Sequence, residues 1–407
     1  MRISLLTGFY PPPYNANSVR AMYMVKALKR KGFEVMVIPL LGTRNEKGFF
    51  GEKIYSPINI HCATATFYER LSIARRLLDL LNKHVRLKDK ILNKIAEFKA
   101  DAIIATIPPV EAVPIASYVA EKLKLRLVID VQDLADDYRM LERPWLAPAI
   151  RIYFKRIYKI LKHADVVITT TEFMAKELEK RVGRKDFLLV PNGVDASFYK
   201  PCYKYRITTR PRDIAVFLGD LNFKYHKLDI FLQSMKALFE KNRKIRLRVL
   251  GAGRELPKLK HLAQKLNIQN YVEFLGYVPR ENMHKLLGTA TFAIAGRPSI
   301  QNPWIINTMR LTIYEYLSCG LPILAYGPPN SYTQRFIEEH GIGVYVPSND
   351  SKDVGEAVIR LIEEIERNPQ IVTRCRKVAE QYDWHNVISV FVSKMKEVLR
   401  GLENAIC

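Results

Sequence analysis

The sequence predicts two doubly wound α/β domains of similar size. Three observations predict it. The chain has 407 residues, more than one core usually reaches, since single cores stop growing at roughly 250–300 residues. Short apolar runs that read as strands alternate with stretches at helical spacing, the pattern of parallel sheets built from crossover units. The alternation pauses once, at the basic stretch YKPCYKYRITTRPRD, and then resumes as a second series.

The first series opens at 2–7, where Ile3, Leu5 and Leu6 form an apolar run that leads to three prolines. It continues at 34–40 (EVMVIPL), 101–107 (DAIIATI), 126–131 (RLVIDV), 166–170 (VVITT) and 187–190 (FLLV). The second series reads 214–218 (IAVFL), 246–251 (RLRVLG), 272–275 (VEFL), 291–295 (TFAIA), 322–326 (PILAY) and 343–346 (GVYV). These runs are rich in branched and aromatic residues, with Gly, Pro, Asn or Asp near their ends, as buried strands require. Most of the intervals have helical spacing. The expected domains are 1–198 and 199–384, joined near 196–212, with a periodic last segment, 385–407, that fold analogy returns to the first domain. No internal repeat or low-complexity tract interrupts this plan.

Composition narrows the class. A hydrophobic fraction of 48% and a charged fraction of 26% are those of an ordinary globular protein. Cys62, Cys202, Cys319, Cys375 and Cys407 are scattered, which suggests neither a disulfide framework nor a zinc site and fits a reducing cytoplasm. The N-terminal apolar stretch is too short for a secretory signal. No run of about 20 apolar residues is present to cross a membrane. The net charge of +23 attracts phosphates and anionic surfaces. It is concentrated locally in RPWLAPAIRIYFKRIYKILK (143–162), which has six basic and no acidic residues, and in the basic amphipathic stretch 69–99. Both fit an anionic membrane surface, and both are also what a helix with a core face and a solvated face looks like.

Ligands of open α/β sheets sit beyond the carboxyl ends of the strands, so the loops there carry the candidate chemistry. After the first strand, GFYPPPYNANSVRA leads into a helix start that can seat a phosphate, while Asn17 or Ser18 can equally be an N-cap. LVIDVQDLADDYRM places Asp130 and Asp133 at a strand end, followed by Asp136 and Asp137. Such carboxylates suit general base work or sugar hydroxyls, and equally the first turn of a helix. FLGDLNFKYHKLD sets Gly219 before Lys224, His226 and Lys227, cations able to neutralise a departing diphosphate. Gly251 and Gly253 allow close backbone approach but lack the full dinucleotide spacing. Glu315, in RLTIYEYLSCGLPILAYG, sits in a short helical run stopped by Gly320 and Pro322.

Eight stretches, FYPPPYNANSVRA, IIATIPPVEAVPIA, VIDVQDL, ADVVITTTEFMAKEL, VPNGVD, FLGDL, YEYLSCGLPIL and YDWHNV, together resemble the retaining glycosyltransferases of family 4. That family has the GT-B architecture, two facing Rossmann-like domains with a cleft between them. The resemblance implies that Glu315 is the second glutamate of a Glu-x7-Glu pair and binds the ribose of a sugar nucleotide. It implies catalytic roles for Asp133 and Glu315, and a nucleotide-sugar site that also holds Gly219, Lys224, Lys227, Gly253, Val278, Asn307 and Arg310. Asn15, Ala16, Asn17 and Arg20 would form the phosphate or acceptor loop.

The departures from the family pattern are specific. Asn307 stands where the first glutamate would be, Asp220 where an arginine is common, and Asn15 and Ala16 where the family has a glycine-rich turn. The family lysine aligns with His226 or Lys227. A subgroup that transfers amino- or deoxy-sugars in surface polysaccharide synthesis also lacks the first glutamate and is the nearest likeness, although its lysine three residues before Glu315 is Thr312 here. The resemblance implies a UDP- or GDP-sugar donor, no metal and no further cofactor, a glycan or polyprenyl-linked acceptor, and a cytoplasmic enzyme with peripheral membrane attachment. A sugar-nucleotide 2-epimerase of the same architecture is the alternative enzyme. A basic binding protein is the non-enzyme alternative, though no RNA-stacking motif supports nucleic acid.

Overall fold

The computed structural model describes residues 1–11, 16–42, 49–55, 87–201, 214–222 and 224–403. The chain divides into two compact units, Met1–Pro191 with His385–Cys407, and Asn192–Trp384.

In the first unit, β1 (Arg2–Phe9), β2 (Glu34–Gly42), β3 (Lys53–Ile54), β4 (Ala102–Ile107), β5 (Arg126–Val131), β6 (Val166–Thr169) and β7 (Phe187–Leu189) form one sheet in the order β3-β2-β1-β4-β5-β6-β7. Every pairing is parallel. Such a sheet is covered on both faces, which is why all six residues of β4 are buried and why the strands read as unbroken apolar runs. Local chemistry sets the helix ends. The helix Glu172–Val182 starts where the Thr171 side chain accepts from the Met174 N–H, and stops at Gly183 with φ 68°, a left-handed cap that glycine adopts without a Cβ penalty.

Arg20 takes a structural place instead of one in a phosphate loop. It lies on the first helix, Ala16–Arg30, and is fully buried. Its Nε and Nη2 donate to the Asp130 carboxylate at 2.9 and 2.8 Å, and its remaining N–H groups reach the carbonyls of Val190 and Pro191 at 3.0 and 2.9 Å. Gln132 donates to the same carboxylate at 2.8 Å. The guanidinium thus ties the first helix to the carboxyl end of β5 and to the chain leaving β7, and it has no donor left to offer a ligand.

In the second unit, β8 (Ile214–Leu218), β9 (Arg246–Leu250), β10 (Val272–Gly276), β11 (Phe292–Gly296), β12 (Ile323–Tyr326) and β13 (Gly343–Val346) form a second parallel sheet in the order β10-β9-β8-β11-β12-β13. Phe217, Leu247, Val249, Phe292 and Ile294 from its strands pack with Phe231 and Leu232 in the core. The chain enters this unit at Asn192, ahead of the boundary expected at 198, because 193–199 is bound to it. A Cβ on Gly193 would lie 2.8 Å from the Trp384 ring. Val194 exchanges backbone hydrogen bonds with Tyr382 and Trp384, and the Ala196 N–H donates to Asp383. Arg376 then donates to the carbonyls of Ala196, Tyr199 and Ser318 at 2.7–2.8 Å. From His385 onward the last helix, Trp384–Glu403, belongs to the first unit, and Ile388, Phe391, Val392, Met395 and Leu399 form its buried stripe.

Removing one partner of a buried ion pair strands the other charge, at a cost of roughly 3–5 kcal/mol. Urea unfolding of Arg20→Met is therefore expected to show a loss of that size in the first unit. The double variant Arg20→Met/Asp130→Leu should recover most of it. Equal stability of wild type and Arg20→Met would contradict the structural role.

Candidate functional site

The order of the second sheet reverses between β8 and β11, and this is where open α/β sheets bind ligands. The two exits there are closely packed. A Cβ on Gly219, just after β8, would meet Arg310 Nη2 at 2.7 Å, Phe217 at 2.9 Å and His226 Nε2 at 3.3 Å. Gly296, the last residue of β11, has the His226 carbonyl and the Tyr326 ring 2.4 and 2.6 Å from where its Cβ would be. Gly251 and Gly253 serve the same packing. A Cβ on Gly251 would sit 2.0 Å from the Gly219 carbonyl oxygen, and Gly253, at φ 150°, would meet Leu221 and Asn222 backbone at 2.2 Å. Gly253 therefore makes room for the protein's own chain, not for a nucleotide.

Arg310 is buried at the amino end of the helix Leu311–Ser318. Its Nη2 donates to the Leu218 carbonyl at 2.7 Å, and its guanidinium carbon lies 5.0 Å from the Phe217 ring centroid. Its Nη1 has no hydrogen-bond partner among the described residues. An orphaned N–H on a buried cation is costly unless something arrives to accept it. Tyr316 fixes the same helix from the next turn, with its Oη accepting from the Leu218 N–H at 2.6 Å.

Glu315 is half-buried on this helix, so it does not simply face water. Its Oε1 accepts from Tyr199 Oη at 3.0 Å. Burial pushes its pKa up, while the Tyr199 hydrogen bond and the positive charges of Arg280 and Arg310 pull the other way. Tyr199 is itself held, its carbonyl accepting from Ser318 Oγ and Arg376 Nη1, both at 2.7 Å. The Arg280 guanidinium stacks 4.7 Å from the Phe198 ring centroid. The outcome is a carboxylate with one oriented oxygen, between a tyrosine and arginines.

The lysines expected to bind phosphate are less well placed. Lys224 is exposed, with its ammonium 5.2 Å from the Tyr225 ring centroid. Lys227 adopts φ 51° and its Nζ is bonded to Asp229 at 3.0 Å. Both border a cavity of about 440 Å³ whose polar lining includes His226, Asp229, Glu255 and Lys258. His226 has its pKa pushed well down by burial first, then by the charges of Arg310 and Arg297. It is therefore neutral near pH 7. Arg297, which the sequence reading missed, directly follows β11 and stacks 4.8 Å from the Trp304 ring centroid. The available signal was topological, a cation at the end of the strand that pairs across the switch point. Asn307 and Val278 are buried, Asn307 at the end of the short helix Pro303–Asn307 and Val278 after the exposed Tyr277.

In the first unit, Asn15 lies outside the described residues. The first helix starts at Ala16, so Asn17 and Ser18 fall inside its first turn and neither is the N-cap. Ala16 is exposed and Asn17 half-buried. Of the four aspartates after β5, Asp130 is bound to Arg20, and Asp136 and Asp137 each lie 2.8 Å from Arg181 Nη1. Tyr158 also donates to Asp136. Burial, and then the Asp136 charge, push Asp137 up to about 6 despite Arg181. This group binds three helices together. Asp133 is half-buried just past β5 and remains the acid–base candidate of this unit by position.

Comparison with known proteins agrees with this division. Residues 208–378 match the model of glycosyl transferases group 1, and residues 18–198 match that of glycosyltransferase family 4. An uncharacterized glycosyltransferase of Methanocaldococcus jannaschii is 25% identical over 182 residues, 44% of each chain. The alpha-monoglucosyldiacylglycerol synthase of Streptococcus pneumoniae is 24% identical over 237 residues, 56% of this chain and 51% of that one. The match thus spans about half the length of these curated relatives. The crystal structure of Anabaena HepE in complex with UDP-glucose superposes with a TM-score of 0.70 over 98% of this chain and 99% of that one, at 14% identity. With each unit carrying the sheet order of a Rossmann-like domain and each matched by a glycosyltransferase model, the chain has the GT-B fold and is a glycosyltransferase of the family 4 type.

Proposed function

We propose that the protein is a retaining glycosyltransferase that moves a hexose, N-acetylhexose or deoxyhexose from a nucleoside diphosphate sugar to a glycan or polyprenyl-linked acceptor. The observation that carries this reading is the pair formed by Glu315, half-buried with an oriented carboxylate, and Arg310, buried with Nη1 unmatched, on one short helix at the switch point. Further support comes from neighbours of the same fold solved with UDP and with UDP-glucose. Relatives named for glucosyl transfer to a diacylglycerol lipid and to poly(glycerol-phosphate) support acceptors of the lipid or polymer kind.

In this reading Glu315 accepts hydrogen bonds from the ribose hydroxyls, which fixes the nucleoside. Arg310, with Arg297 beside it, faces the diphosphate, where negative charge grows as the glycosidic bond breaks. Donors already in place lower that barrier without reorganising at the moment of reaction. Guanidinium groups do here what a cation would otherwise do, so the proposal requires no metal. Neutral His226 can donate one hydrogen bond without adding charge. The departing phosphate oxygen lies on the face the acceptor attacks and can take its proton, which yields retention, and Asp133 is the candidate acid–base group.

Titration of the protein with a panel of UDP-, GDP- and dTDP-sugars, followed by thermal unfolding, tests the donor reading. The best donor is expected to raise Tm of the wild type. Glu315→Ala should weaken donor binding by roughly ten- to a hundredfold, equivalent to hydrogen bonds on a charged acceptor of about 1.5–3 kcal/mol. Binding equal to wild type would sink the assignment. Donor breakdown with no acceptor present would favour the epimerase reading.

The state of Glu315 can be read separately. Its raised pKa means that the folded state holds the proton more tightly than the unfolded chain. Its contribution to stability is therefore present at acid pH and lost as pH rises through the folded value. Tyr199→Phe removes the hydrogen bond that offsets this loss. It should cost roughly 1.5–3 kcal/mol in urea unfolding at pH 8, with a smaller penalty as acidification neutralises the carboxyl. A penalty independent of pH would show that Tyr199 acts by packing alone.

A further inference from the structure

We propose that residues 143–162 of the first unit form a docking surface for an anionic lipid bilayer. The helix Ala147–His163 buries Phe154, Ile157 and Leu161 on one side. Its other side is open, with Ile152 71% exposed, and the turn before it, Pro144–Leu146, leaves Trp145 73% and Leu146 39% exposed. Arg151, Lys155, Arg156, Lys159 and Lys162 are exposed as well, and no acidic residue occurs between Arg143 and Lys162. Residues three, four and seven apart share a helix face. Ile152, Lys155, Arg156 and Lys159 therefore form one outward stripe, continued toward Trp145 by the uncharged Pro148 and Ala149.

The arrangement has a polarity. Its amino-terminal end is an apolar tip made of Trp145, Leu146 and Ile152, and its carboxyl-terminal half is a row of cations. A solvated face has no reason to leave an indole and two aliphatic side chains uncovered beside that row, since burying them is favourable wherever a partner exists. A bilayer satisfies both halves at once. Tryptophan is favoured at the headgroup level, aliphatic side chains enter the acyl boundary, and lysines and arginines meet anionic headgroups. A nucleic acid would engage the cations and stack on the indole, but it would leave Ile152 and Leu146 without a function. The inference stands on the first unit alone and does not depend on the donor site.

The test is co-sedimentation of the full-length protein with vesicles of phosphatidylcholine alone and with vesicles part of whose lipid is phosphatidylglycerol. Binding to the anionic vesicles only, weakened by added salt, is expected. Trp145→Ser/Ile152→Ser should lower it by at least about tenfold at fixed salt, since two buried apolar side chains are removed. Lys155→Gln/Lys159→Gln should lower it by roughly fivefold per charge. All four positions are exposed, so thermal unfolding of the variants should match wild type. As an independent readout, brominated lipid should quench wild-type tryptophan emission, and that quenching should fall in the Trp145→Ser variant. Equal binding to neutral and anionic vesicles, or binding indifferent to the serine pair, would overturn the proposal. So would heparin or single-stranded RNA binding as tightly as the vesicles with the serine pair unaffected, because that describes a general polyanion surface.

Discussion

The carbonyl at the end of β8 is the fixed point of the second unit. Leu218 accepts from Arg310 Nη2 at 2.7 Å, and its N–H donates to Tyr316 Oη at 2.6 Å. Both partners belong to the helix Leu311–Ser318 or the residue before it, so one peptide group sets that helix against the strand end. Glu315 lies between the two anchors in sequence, and its carboxylate can only point where they allow. Burial raises the cost of any other geometry, since a carboxylate away from Tyr199 and the arginines would be left half-buried and unmatched. A chain of contacts through Ser318, Arg376 and Tyr199 closes the arrangement from the far side.

Glycines make that fixed point possible. Gly219, Gly251 and Gly296 end or follow strands at which a Cβ would collide with backbone or buried side chains. Sequence inspection reads such glycines as openings for a ligand, because a phosphate loop and a tight internal crossing have the same composition. Gly253 shows the difference. Its missing side chain is replaced by Leu221 and Asn222 of the same protein, and the space does not exist for anything else. The residue type was legible, and its partner was not.

The same distinction explains what the sequence revealed of the rest. Strand runs such as AIIATI and IAVFL are buried on both faces, so their composition alone marks them, and the structure has strands there. Lys53–Ile54 is a two-residue edge strand with no pattern to detect. Glu315 could be found because a carboxylate among Ile313, Tyr314, Tyr316 and Leu317 needs a reason. Arg20 misled because an arginine after a proline-rich loop looks like a phosphate ligand, and Asp130, which it binds, lies 110 residues away. Arg297 was missed because only the strand order brings it beside β8. Contacts across that much sequence are set by topology, and single-sequence periodicity carries no record of them.

The departures from the family pattern acquire a common electrostatic sense in this light. The family places an arginine where this chain has Asp220, and a lysine where it has His226 or Lys227. The structure separates the latter two. Lys227 spends its charge on Asp229, while the His226 ring adjoins Gly219 and lies near Arg310. A lysine in the His226 position would be a third buried cation facing Arg310 and Arg297, with repulsion unrelieved until an anion arrived. A neutral imidazole fills the same volume without that repulsion. Positive charge has thus moved from the loop after β8 to the helix that carries Glu315, and the protein tolerates a buried Arg310 in the ligand-free state because its neighbour at the strand end is uncharged.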